Sequence, residues 1–176
     1  LGIGAQVRPA GDHLRQQRLG HGFIENQGLF GTAQGGVVET LTGDDGFVPG
    51  YEEWMRDLAK RHKWDYLIVS VHYLGGKWSF DHPDHRDSWK GRNVNAAWAE
   101  YFDLLRQSAA LGVFDIIGHC DLIKVFGDQP SGDCAAMWRP FLVEVKRQDI
   151  AIEINTNGLT KPCVALYPSP AREIVL

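Results

Sequence analysis

DYLIVSVHYL, residues 65–74, opens with a short, mostly apolar run from Asp65 to Val71, the composition of a strand covered on both faces. The pattern returns twice. VFDIIG, residues 113–118, is followed at once by His119, and IAIEIN, residues 150–155, carries Glu153 and Asn155. Helical patterns separate and precede these runs. Pro49 and Gly50 introduce a stripe of Tyr51, Trp54, Met55, Leu58 and His62 at the 3.6-residue period, with charge opposite. Asn93 is placed to cap a second helix whose Val94, Ala97, Trp98, Tyr101, Leu105 and Ala109 share a face and which Gly112 ends. A third is expected between about Asp133 and Arg147, with Pro140 beginning its regular part or kinking it. Residues 73–92, rich in Gly, Pro and aromatics, read as a loop. Helix, strand, helix, strand, helix, strand is the order of an α/β fold with parallel strands.

Outside that region the sequence changes character. Twelve of the 20 glycines lie in the first 50 residues, and residues 5–35 show no sustained period. Gly36 to Leu41 (GVVETL) is the one short strand expected there. Residues 1–46 are therefore expected to be an irregular, weakly ordered segment, and 47–176 an α/β core. At 176 residues the chain is one ordinary domain, short for a closed eight-unit barrel. Hydrophobic residues at 44% and charged residues at 23% are globular composition. A net charge of −4, with Lys and Arg scattered, gives no basis for nucleic acid or an anionic membrane as partner. No apolar run approaches the roughly 18 residues that span a bilayer. Cys120, Cys134 and Cys163 match neither a zinc knuckle nor a redox pair, so free thiols in a reducing cytoplasm are expected.

Ligands of parallel α/β sheets bind at the carboxyl ends of the strands. His72 and His119 both follow buried strands and are expected at one rim. Either alone could be a core histidine bonded to a backbone carbonyl. Together, near Asp121 and Glu153, they suit a divalent metal, because neutral imidazole binds transition metals and a carboxylate can fix its tautomer or bridge ions. Strand alternation puts Ala151, Glu153 and Asn155 on an inward face and Ile150, Ile152 and Ile154 under helices. Lys124 and Lys161 are either solvated or meet an anionic group there. Asp44 and Asp45 could form a turn or add a carboxylate ligand. His62 suits a helix end. His82 and His85 form a polar loop or line a pocket, and His13 and His21 say little.

Several blocks together carry a resemblance. FVPGYEEW (47–54), DYLIVSVHYL with FDHPD after it, YFDLLRQSAALGVFDIIGHCDLIK (101–124), and AIEINTNGLTKP with LYPSP (151–170) resemble histidinol phosphatases of the polymerase-and-histidinol-phosphatase (PHP) family. The resemblance implies part of a distorted seven-stranded (β/α) barrel, with two or three divalent metals (manganese, zinc or iron) at its rim. It implies hydrolysis of a small phosphorylated substrate, L-histidinol phosphate, in cytoplasmic histidine biosynthesis. Carried over by position, His72, His119 and Asp44 are metal ligands, Asp44 standing where relatives have a glutamate. Asn155 and Lys161 fall in the segment that lines the substrate pocket in relatives, and Lys124, from its place near the rim, is expected as a further substrate contact. His119 or Asp121 would handle the proton of the leaving oxygen. Relatives open with His-x-His and close with Asp-x-His, which this chain lacks, so a sequence truncated at both ends is expected. A non-catalytic remnant, or a related phosphoesterase with another substrate, are the other expectations.

Overall fold

The computed structural model describes residues 46–61, 64, 66–132 and 134–169, together with a backbone pairing nearer the start. In that pairing β1 (Leu29–Phe30) runs antiparallel to β2 (Val38–Glu39), inside the stretch expected as a strand. The remainder of 1–45 lies outside the described residues.

Helix α1 (Glu52–Ala59) starts where Gly50, at φ 91°, turns the chain and donates its N–H to Glu52 Oε1 at 3.0 Å. Its buried face is narrower than the stripe in the sequence: Met55 is buried, Trp54 and Ala59 pack at the margin, and Tyr51 stays exposed. His62 lies outside the described residues. Strand β3 (Ile68–Val69) follows. The expected loop then proves to hold an antiparallel hairpin, β4 (Tyr73–Leu74) and β5 (Trp78–Ser79), and a 3-10 turn over Pro83–Trp89. The signal was present in the sequence. Gly75 and Gly76 occupy φ 56° and 68°, and two consecutive left-handed residues match the twist of a tight hairpin.

Helix α2 (Val94–Ala110) begins as its sequence predicts, with Asn93 Oδ1 accepting from Ala96 N at 3.1 Å, and Gly112 at φ 65° follows its end. It buries Trp98, Tyr101, Phe102, Leu104 and Leu105, each worth about 1.5–3 kcal/mol on transfer from water. Helix α3 (Ala135–Gln148) contains Pro140 and packs on α2, with the Phe102 and Phe141 rings 6.0 Å apart. Between these helices lies β6 (Ile116–Ile117), and after α3 comes β7 (Ala151–Ile152).

Strands β3, β6 and β7 form a parallel sheet in that order, with Val69 beside Ile117 and Ile117 beside Ile152. Residues 46–47 flank β3, where Phe47 N reaches Ser70 O at 2.8 Å. The α/β class with parallel strands thus holds, but the described sheet is open, with three strands and no closure into a barrel. The strands are also shorter than the apolar runs. Beyond Glu153, whose N–H still reaches Ile117 O at 2.9 Å, the chain leaves the ladder, and Asn155 pairs instead with Tyr167 through N–H···O bonds of 2.6 and 2.9 Å. Alternation applies only inside a ladder. Hence Ile150 is buried as expected, whereas Ile154, expected under a helix, is 73% exposed.

No described helix is long and apolar enough to cross a membrane. One packing constraint falls directly on the rim. A Cβ at Gly118 would stand 2.6 Å from Ser70 Oγ and 3.3 Å from Ile68 Cγ2. Gly118→Ala should therefore cost about 1–3 kcal/mol in urea unfolding. Ser70→Ala, which removes a buried hydroxyl without a partner, should be close to neutral alone and recover at least half of that loss in the double variant.

Candidate functional site

His72 follows β3 and is held by the β4–β5 hairpin. Tyr73 pairs with Ser79, so the returning strand brings Phe80 opposite His72 and Asp81 beside it. Asp81 Oδ2 lies 2.7 Å from His72 Nδ1, both side chains being mostly buried. Phe80 is fully buried, and its carbonyl accepts from Trp89 Nε1 at 2.8 Å. The carboxylate therefore has a fixed seat. A carboxylate on one imidazole nitrogen sets the tautomer and leaves the other nitrogen to face a ligand. Sequence reasoning did not single out Asp81, the carboxylate that the structure sets on His72.

His119 follows β6 and Gly118. Its ring stands 5.3 Å from that of His72, at 75°, and 6.4 Å from the Tyr167 ring. The expected meeting of the two imidazoles is present. His119 is held in the left-handed region, at φ 24°, with its N–H donated to Glu153 Oε2 at 2.9 Å. Its carbonyl accepts from Tyr101 Oη at 3.3 Å. Burial, with the neighbouring His72 second, lowers its pKa to about 4, so the ring is neutral at physiological pH. Its Nδ1 is buried without a hydrogen-bond partner, a cost of about 1–3 kcal/mol unless something occupies it.

Asp121 and Lys124 form a pair behind His119. Lys124, expected to be solvated or to meet an anionic group, is only 2% exposed, and the anionic group it meets is the Asp121 carboxylate of the fold itself. Its ammonium bonds Asp121 Oδ2, Leu166 O at 2.6 Å and Ser169 Oγ at 2.5 Å, and lies 5.2 Å over the Tyr167 ring. An ammonium has three donors, and all three are taken. Asp121 Oδ2 also accepts from Ser169 N at 2.9 Å, while Oδ1 is buried with no partner. Burial raises the carboxyl pKa, against the opposing pull of Lys124. Beside the pair opens a cavity of about 250 Å³ with Trp98, Phe102, Trp138 and Phe141 in its walls.

The remaining expected residues are dispersed. Asn155 Nδ2 donates to Glu153 Oε1 at 3.2 Å and its Oδ1 accepts from Asn157 N at 2.8 Å, so its side chain is occupied within the fold. Lys161 is exposed after the 3-10 turn Asn157–Thr160. His82 and His85 stack loosely on the exposed 3-10 turn, rings 5.0 Å apart. Asp44 lies outside the described residues. All three cysteines are free.

Among the described residues no three His, Cys, Asp or Glu side chains are grouped to hold a metal ion. The donors present nevertheless have the chemistry of ligands: one neutral imidazole with an unpaired buried nitrogen, and one oriented by a carboxylate. They fit two positions of a metal site.

Comparison with known proteins points to one family. The sequence model of the PHP domain matches residues 5–157. Over 124 residues the chain is 37% identical to a Deinococcus radiodurans protein named "Probable histidinol-phosphatase", covering 70% of this chain and 46% of that protein. The crystal structure of the "putative histidinol phosphatase hisK" from Listeria monocytogenes superposes with a TM-score of 0.59 at 27% identity, covering 70% of this chain and 53% of that one. The chain thus spans about half the length of these relatives.

The depressed histidine has a consequence for stability. Unfolded, the imidazole titrates near 6.5; folded, only near 4. Between these values the unfolded state binds more protons, so stability falls as pH drops through that window. Metal-free wild type should lose on the order of 1–2 kcal/mol more than His119→Asn between pH 7 and pH 5. Urea unfolding of both at each pH checks this, and equal losses would contradict the buried, neutral ring.

Proposed function

The chain belongs to the PHP-domain family, and from that premise we propose that it carries the core of a metal-dependent phosphomonoesterase acting on L-histidinol phosphate. The observation that supports this most is the His72–His119 pair at the rim of the parallel sheet, one ring fixed by Asp81 and the other holding an unpaired buried nitrogen. The names carried by the relatives support the substrate. We further read the three-stranded sheet as part of a distorted seven-stranded barrel.

In this reading His72 and His119 hold a divalent ion, manganese, zinc or iron, and Asp44 adds a carboxylate. Such an ion would lower the pKa of a bound water and neutralise charge on the phosphate oxygens. The protein's own part is to keep the His119 ring unprotonated and to aim both rings. Burial does the first, and the Asp81 carboxylate orients His72. Asp121, with one unpaired oxygen, is the group assigned to proton transfer near the leaving oxygen. Lys124, whose three donors are taken within the fold, offsets the charge of Asp121, and of the two lysines expected to meet the phosphate Lys161 is the exposed one.

A second reading, a non-catalytic member, is favoured by one observation: the described residues supply no third metal ligand beside the pair. Phosphate release from L-histidinol phosphate with manganese, zinc or iron separates the two. The phosphatase reading predicts release that His72→Ala and His119→Ala each lower by at least about 100-fold and Asp81→Asn by about 10–100-fold. No release with any of the three metals would leave the non-catalytic reading standing.

A further inference from the structure

His119 adopts a backbone conformation that an L-residue with a Cβ rarely takes, at φ 24°. Such a conformation is strained for a residue with a Cβ and persists only where the surroundings impose it. Here they do so from two sides. The residue's carbonyl is met by Tyr101 Oη from α2, and its N–H by Glu153 Oε2 from the segment after β7. Gly118 lets the chain pass close to Ser70 immediately before the turn.

We propose that Glu153 is a positioning residue: its carboxylate holds the His119 main chain in the left-handed turn and thereby sets the His119 ring against His72. The proposal deepens the phosphatase reading and draws its functional meaning from it. Both carboxylate oxygens are committed to this task. Oε2 takes the His119 N–H, and Oε1 takes Asn155 Nδ2 at 3.2 Å. Asn155 is itself immobilised by Asn157 N and by its two backbone bonds to Tyr167. A continuous series of hydrogen bonds therefore runs from Tyr167 through Asn155 and Glu153 to His119. The final bond is charge-assisted, stronger than a neutral acceptor would give. Glu153 acts through the backbone of His119, since the His119 N–H and Asn155 Nδ2 occupy its two oxygens, and Asn155 acts one step further back rather than toward a substrate.

The test is nuclear magnetic resonance of the two imidazoles in the full chain, without metal, well below each variant's melting temperature. In wild type the His72 and His119 ring protons should show a mutual Overhauser effect, consistent with rings 5.3 Å apart. Glu153→Ala should abolish it and shift the His119 ring resonances, while the His72 Nδ1 proton keeps its bond to Asp81. Glu153→Gln, which retains an acceptor for the N–H, should restore the effect. Should Glu153→Ala not fold, Asn155→Ala provides the same readout, because it releases Oε1 and should shift His119 while sparing His72. A lowered melting temperature with unchanged ring resonances, in whichever variant folds, overturns the proposal and makes Glu153 merely structural. Phosphate release plays no part in this readout, so an inactive chain and a misassigned Glu153 give different results.

Discussion

Three parallel backbones in register govern the molecule, because they decide which chain ends meet. Gly118 N bonds Val69 O and Glu153 N bonds Ile117 O, both at 2.9 Å. Those two bonds fix how far each strand projects past its neighbour. His72 leaves one strand, His119 the next, and Glu153 and Asn155 the third, all at a single rim. A slip by one residue would turn each side chain to the opposite face. The aromatic packing of α2 and α3, centred on Phe102 and Phe141, belongs to the same buried core as Val69 and Ile117 of this sheet.

Much of this was legible from residue order. Alternating apolar runs and capped helices gave the α/β class, and Asn93 and Gly112 bounded α2 as sequence suggests. The placement of His72 and His119 at one rim followed from their positions just beyond buried strands. What escaped was decided by contacts distant in sequence. Asp81 became the partner of His72 only through the hairpin at Gly75 and Gly76, a turn signal overlooked within an aromatic loop. The exposure of Ile154 depends on where the ladder ends, which alternation alone does not specify. Lys124 looks like any surface lysine until the 166–169 segment folds over it.

The buried polar groups divide into two kinds. Asp121 and Lys124 neutralise one another, and such a pair contributes little net stability while removal of either partner leaves a stranded charge. Their effect is architectural, tying the 3-10 turn after His119 to the segment carrying Tyr167 and Ser169. His119 belongs to the other kind. Its unpaired nitrogen and strained backbone are retained at a cost in stability, as is common where a side chain serves a ligand.

In the proposed function the two imidazoles act as one ligand set. Crystals of the full chain soaked in manganese and measured for anomalous scattering test it most directly. The account predicts a peak at the His72 and His119 rings, lost in His119→Ala crystals. A peak confined to His82 and His85, or none at the rim of the parallel sheet, would contradict it.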